Sequence, residues 1–172
     1  MDNSARIPLA IHPPETTYTI RLVELDDVAT LHKGLWHHRQ PDDIQDFIGR
    51  VLKFMQQKRG IAIVVIDEPI STRSIVAYGQ VTQWMQCSEI SDLYVSPTYR
   101  SQGIGTAMIQ YLTRFTISQR VECVELGVAE SNPRALNLYR QLGFTARYTL
   151  QLDLGQGHEP VIYLSLDLTP YH

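Results

Sequence analysis

Glu89-Ile90-Ser91-Asp92-Leu93-Tyr94-Val95 runs into Ser96-Pro97-Thr98-Tyr99-Arg100-Ser101-Gln102-Gly103-Ile104-Gly105, and the reading of this stretch decides the fold. The first part reads as a strand. A helix follows the glycines at once, with apolar residues at Ile104, Ala107, Met108, Tyr111, Leu112 and Phe115. That spacing places one buried face on a helix. Glycines opening a helix form an anion site on physical grounds. First-turn N–H groups lack intrahelical partners, the helix dipole adds positive charge there, and glycine lets a phosphate approach the backbone. Arg100 adds a full charge at the mouth.

Three kinds of phosphate loop compete. A P-loop needs Lys-Ser or Lys-Thr after its second glycine, and Gly105 is followed by Thr106-Ala107. A dinucleotide loop needs a third glycine where Met108 stands, although Glu122 or Glu125 lies about where its acidic residue would. Such a loop also turns directly off its strand, whereas eight residues separate Val95 from Ile104.

Arg100-Ser101-Gln102-Gly103-Ile104-Gly105 resembles the Gln/Arg-x-x-Gly-x-Gly/Ala signature of the GCN5-related N-acetyltransferases, the GNAT family. A second stretch runs from Asn132-Pro133-Arg134-Ala135 through Tyr139 to Gly143-Phe144. It resembles the family's Asn-x-x-Ala-x-x-x-Tyr-x-x-x-Gly-Phe. The resemblance implies acetyl-coenzyme A as acyl-donor substrate, a primary amine as acceptor, and no metal. It implies cofactor contacts from Leu93, Tyr94, Val95, Arg100, Ser101, Gln102, Gly103, Ile104, Gly105, Thr106, Asn132 and Tyr139. It also implies that the strand at Leu93 splays from the one at Leu126, freeing the N–H groups of Leu93 and Val95.

The rest of the chain bounds the answer. At 172 residues, 44% hydrophobic and 19% charged, it reads as one soluble globular domain. A net charge of −3 argues against a general nucleic-acid binder. No apolar run approaches the roughly 18 residues of a membrane helix. Pro8, Pro13 and Pro14 interrupt the N-terminus, which therefore does not read as a signal peptide, and a cytoplasmic protein is expected. Residues 1–15 read as a flexible tail and 16–172 as the domain. Cys87 and Cys123, far apart in sequence, read as buried free thiols.

In order, residues 17–23 alternate as a half-buried strand. Asp26 or Asp27 can cap a helix with the stripe Val28, Leu31, Leu35 and Trp36. Pro41-Asp42-Asp43 opens a second helix, with Ile44, Phe47, Ile48, Val51, Leu52 and Met55 on one face. Residues 61–66 are a β-branched run fit for a central strand, followed by a turn from Asp67 to Ser74 and a strand over 75–85. Gly79 marks a bend or bulge in that strand. After the glycine-loop helix, residues 121–128 form a strand, expected parallel to the one before the loop. Ser131 or Asn132 caps a short helix with Pro133 at its first position and Gly143 past its end. Two alternating strands joined around Gly155-Gln156-Gly157 close the chain. The order is β-α-α-β-β-β-α-β-α-β-β. It predicts an α/β (α+β) fold with a mixed, mostly antiparallel sheet flanked by helices, which is also the family's order.

Acetyl transfer to an amine needs a way to remove the amine's proton, donors for the oxyanion, and a proton for the departing thiolate. By resemblance Tyr139 is the general acid, although it also lies on an apolar stripe with Ala135, Leu138 and Leu142. Glu89, six residues before Val95, matches the family's strand base; Glu125, Asp92 or water alone are rivals. Trp84 and Tyr78 either shape the acceptor pocket or pack in the core. His32, His37 and His38 do not assemble into a metal site. A non-catalytic acyl-coenzyme A sensor and a nucleotide-dependent oxidoreductase are the alternative functions. A homodimer through the terminal strands stays open, and the acceptor is not readable.

Overall fold

The computed structural model describes residues 7–9, 18–68, 74–155 and 157–171. The β-branched run becomes β3 (Gly60–Asp67), which lies inside the sheet and is buried along nearly its whole length. On its two sides run β2 (Tyr18–Leu22) and β4 (Ser74–Trp84), both antiparallel to it. β5 (Cys87–Val95) continues the meander antiparallel to β4. The glycine-loop helix, α3 (Ile104–Ser118), then crosses over to β6 (Cys123–Ala129), which lies parallel to β5. A crossover helix is what a parallel pair requires, and among the described residues this is the one parallel pairing. β7 (Thr145–Asp153) and β8 (His158–Asp167) form the terminal hairpin, with β8 against β6 and β7 outermost. The mixed, mostly antiparallel sheet flanked by helices is the architecture expected from the sequence.

One strand was not expected. Ile7–Leu9, here β1, pairs antiparallel with β2 at the sheet edge. It lies within the segment read as a tail, so that reading fails for these three residues. Positions 1–6 and 10–15 lie outside the described residues, as do Gln156 and most of the turn between Asp67 and Ser74.

Strand alternation divides the core in two. On one face α1 (Val28–Gly34) and α2 (Pro41–Gln56) bury Leu31, Leu35, Ile44, Ile48 and Val51 against Ala62, Val64 and Tyr78. On the other, α3 and α4 (Pro133–Gln141) pack against Ile63, Val65, Ile90, Val124 and Leu126. Each fully buried aliphatic side chain contributes about 1.5–3 kcal/mol, so both layers are substantial. Asp27 stands at the α1 N-cap position, but its carboxylate accepts from the Glu24 N–H at 2.8 Å and pairs with Arg21. No described helix is long and apolar enough to cross a membrane.

The cysteines correct the sequence reading. Cys87 and Cys123 are directly paired across β5 and β6, with Cα atoms 4.6 Å apart, and form a disulfide. Their sequence separation hid a contact that only the parallel register creates. Within the described residues, Cys87, Cys123 and Glu125 also place potential metal-ligand atoms within 4.8 Å of one another. In the oxidised form the disulfide engages both sulfurs.

Candidate active site

The sheet forks at β5. β5 and β6 pair from Cys87–Cys123 to Ile90–Leu126 and no further. β6 goes on pairing with β8 as far as Ala129, while β5 stays on β4 as far as Val95. A bulge turns β5 away. Tyr78 opposes Tyr94 but Gln80 opposes Ser91, so Asp92 and Leu93 face Gly79 alone, and Asp92 takes φ 53°. The expected irregularity at Gly79 is present, with the extra residue on β5, and the side chains packed there leave room only for glycine. A Cβ there would stand 2.7 Å from Leu93 Cδ2 and 3.0 Å from Met108 Cε. Past the bulge, the β6-facing edge of Leu93, Tyr94 and Val95 has no strand partner, and an unpaired backbone edge invites a ligand's hydrogen bonds.

Beside this edge opens a cleft of about 770 Å³ between β5, the loop, α3 and α4. Of the expected donor-binding residues, Leu93, Tyr94, Val95, Arg100, Ser101, Gly103, Ile104, Gly105, Thr106, Asn132 and Tyr139 line it. Gln102 does not. Its Oε1 accepts from the Tyr18 hydroxyl, and its Nε2 donates to the Thr98 carbonyl at 3.3 Å. The Tyr99 hydroxyl donates to Asp67 Oδ2 at 3.0 Å. Together these bonds tie the loop to β2 and β3 from behind.

Gly103 is the α3 N-cap at φ 79°, a left-handed conformation that glycine adopts without strain. The helical ladder begins with Ala107 N–H to Gly103 O at 3.0 Å, so Ile104, Gly105 and Thr106 keep free first-turn donors. At Gly105 a Cβ would find no protein atom nearer than Leu138 Cδ2 at 4.0 Å; the space belongs to the cleft. Arg100 donates to the Val95 carbonyl at 3.1 Å and lies over the Tyr94 ring. A second cation, Arg134, lines the same cleft and donates to Ser101 Oγ. Free N–H donors, two guanidinium groups and a helix N-terminus suit a polyphosphate.

Arg134 stands inside the second motif, at a position for which the resemblance implies no role. Its position near the start of a helix was visible; its reach to the first loop is tertiary. Tyr99 and Asn137 also line the cleft and were not foreseen. Asn132 serves as a cap, its side chain accepting from Ala135 N–H at 3.1 Å, while still lining the cleft. Burial raises the Tyr139 pKa above its ordinary value, so the phenol stays protonated at neutral pH.

A second cleft, of about 310 Å³, opens on the other face. Alternation puts it there: Ser88 and Ile90 are buried, whereas Glu89 between them is half-buried and faces this cleft. Its register partner Glu125 lines it too, with Trp84, Tyr148, Leu150 and Tyr163. Burial, as the main cause, raises the Glu89 pKa; the Trp84 indole N–H opposes this, and Glu125 and Asp92 add to the rise. Glu125 accepts from the Tyr148 hydroxyl at 3.3 Å. Asp92, the other rival base, is exposed on the bulge and accepts from Gln80 Nε2 at 3.0 Å. The two aromatics part company. Tyr78 is 0% exposed beneath Trp36 and Phe47, with its hydroxyl satisfied by Gln80, whereas Trp84 is 54% exposed at the cleft.

A forked sheet with a glycine-opened helix beside the fork is the architecture of an acyl-coenzyme A N-acyltransferase. A profile of the acetyltransferase (GNAT) family matches residues 22–144, and the chain belongs to that family. The mouse thialysine N-epsilon-acetyltransferase is 39% identical over 54 residues, which are 31% of this chain and 32% of that enzyme. Streptothricin acetyltransferase of Escherichia coli is 29% identical over 62 residues, 36% of each chain. The chain thus spans about a third of the curated relatives it matches. Solved structures extend the likeness of fold. Ribosomal-protein-S5-alanine acetyltransferase from Vibrio fischeri superposes with TM-score 0.80 at 13% identity, covering 96% of this chain and 99% of that one. A spermidine N-acetyltransferase chimera from Vibrio cholerae and the human enzyme gives 0.73 at 16% identity, covering 90% and 97%.

Proposed function

We propose that this protein is an acetyl-coenzyme A-dependent N-acetyltransferase acting on a primary amine, with residues 16–172 as its catalytic domain. The observation that carries the reading is the fork: an unpaired strand edge beside three free helix N–H groups and two arginines. The donor's pyrophosphate lies on Ile104, Gly105 and Thr106, with Arg100 and Arg134 at the mouth. Its pantetheine arm pairs with the edge at Leu93 and Val95.

The acceptor amine approaches from the Glu89 side. Glu89, which burial and its acidic neighbours make more basic, takes the ammonium proton, directly or through water. The nitrogen attacks the thioester carbonyl carbon, and the oxyanion is held by backbone N–H at the fork. The C–S bond then breaks while the C–N bond is kept, Tyr139 protonates the departing thiolate, and the second proton still on the nitrogen passes through water back to the Tyr139 phenolate, which leaves a neutral amide and a free thiol. The donor is an intracellular metabolite, so the working compartment is the cytoplasm. A reducing cytoplasm opens disulfides of accessible thiols, and the dithiol form of Cys87 and Cys123 is then the working state.

Calorimetric titration with acetyl-coenzyme A tests this, alongside release of free thiol on adding amines. Gly105→Glu places a carboxylate where no protein atom blocks it. The expected result is saturable binding and turnover in the wild type, with binding weakened at least 100-fold in the variant. No binding by the wild type overturns the proposal. Binding without thiol release across a broad amine panel makes the protein an acyl-coenzyme A sensor instead.

A further inference from the structure

Resting on the acetyltransferase reading, we infer that the acceptor is a small aliphatic dication, with one nitrogen presented at Glu89 and a second cationic group held by Glu125, Tyr148 and Tyr163. Three observations carry this beyond the reaction class. First, Glu89 and Glu125 are register partners on adjacent strands with side chains in one cleft. Two carboxylates side by side repel each other. Among the described residues no Lys, Arg or His lines the cleft, and neither carboxylate is in an ion pair. A structural pair of acids would be expected to bring its own cation; this one leaves that place to a ligand.

Second, the aromatics make a cation-accepting wall. Tyr148 and Tyr163 stack with centroids 4.9 Å apart and planes 12° apart, and the Tyr148 hydroxyl orients Glu125. Trp84 also lines the cleft, but the Arg59 guanidinium already lies over its ring, 6.0 Å from the centroid, so the two tyrosines are the faces left for a ligand's cation. Ring faces attract ammonium groups, and the stack fixes two rings that would otherwise lose rotamer freedom on binding. Tyr148 reaches the site from β7 through the bulge between Ala146 and Tyr148, which sets its register against Tyr163. Third, about 310 Å³ holds a small molecule, and at the Glu125–Tyr148–Tyr163 end no lining residue is a cation, so an acceptor bearing a carboxylate there is disfavoured. α-Amino acids are poorer candidates than diamines on that ground.

Three acceptors of near-identical length separate the possibilities: 1,4-diaminobutane with two cations, butylamine with one, and 4-aminobutanoate with a cation and an anion. The expected order in kcat/KM is diaminobutane at least 10-fold above butylamine, with aminobutanoate below both. In Glu125→Gln the diamine-to-butylamine ratio falls to within about twofold of one. Tyr148→Phe narrows it partway, and serves also if the glutamine variant folds poorly. Equal rates for diamine and butylamine in the wild type overturn the inference, as does an unchanged ratio in both variants. Calorimetry of the coenzyme A-loaded protein with the same three compounds reads the site independently of turnover. Preferential diamine binding without any acetyl transfer keeps the dication site and discards the enzyme reading. Acetyl transfer to all three at one rate keeps the enzyme and discards the dication.

Discussion

The two halves of β5 share a strand but not their neighbours. Residues 87–90 are paired on both edges and stapled to β6 by a disulfide. Past the bulge at Asp92 and Leu93, Tyr94 and Val95 are paired with β4 on one edge and have no β6 partner on the other. The first half spends its backbone hydrogen bonds on the fold; the second leaves them for a ligand. The bulge at Asp92 and Leu93 separates the two. Stability and binding are therefore expected to respond to different substitutions along a single strand.

The largest effect should come from the paired half. Ile90→Ala removes a side chain that is 2% exposed in the core under α3. It should destabilise by about 2–5 kcal/mol in urea unfolding, with donor affinity unchanged under conditions where the variant is folded. Comparable loss of affinity would mean that the halves are not separable. On the cleft side, Tyr139→Phe should lower turnover about 100-fold, the scale of a lost general acid, while coenzyme A affinity stays within about twofold. Unchanged turnover on an acceptor that the wild type acetylates would return Tyr139 to a packing role.

Tyr18→Phe sharpens the comparison from outside the cleft. Removing the hydroxyl unties Gln102 from β2 and should weaken donor binding by about 1 kcal/mol, roughly fivefold in Kd, without touching any lining residue. An unaltered Kd would show that the loop holds its shape unaided. The smallest effect is electrostatic. The folded-state pKa of Glu89 is raised, so the folded protein binds more protons than the unfolded chain between the ordinary carboxylate range and that raised value. Stability should fall as pH rises through this window, and Glu89→Gln should abolish the decline. The same substitution should flatten the acidic limb of the kcat/KM profile. A wild-type-like limb in the variant would pass the base role to Glu125, Asp92 or water.

Much of this was legible in the chain itself. The loop glycines, the stripes of α2 and α3 and the Asn132 cap are local patterns, and local patterns survive folding. The fork is different. It is a relation between two strands, set where their register ends, and neither strand's residues announce it. The same holds for Cys87 with Cys123 and for Arg134 with Ser101, pairs made by the crossover and by the α4 approach. Tyr148 and Tyr163 were visible as aromatics in alternating strands, but their stacking depends on a bulge. β1 was missed because three residues among prolines carry too little periodicity to be read.

The alternation that buries Ile90 and turns Glu89 the other way has a kinetic consequence. The polyphosphate cleft opens on the α3–α4 face, and the acidic cleft opens on the opposite one. On the proposed reading, donor and acceptor would approach the sheet from opposite faces. Both substrates could then be bound at the same time, without either product crossing the other's cleft. Initial-rate plots against the two substrates should therefore intersect rather than run parallel, the signature of a ternary complex without an acetylated enzyme.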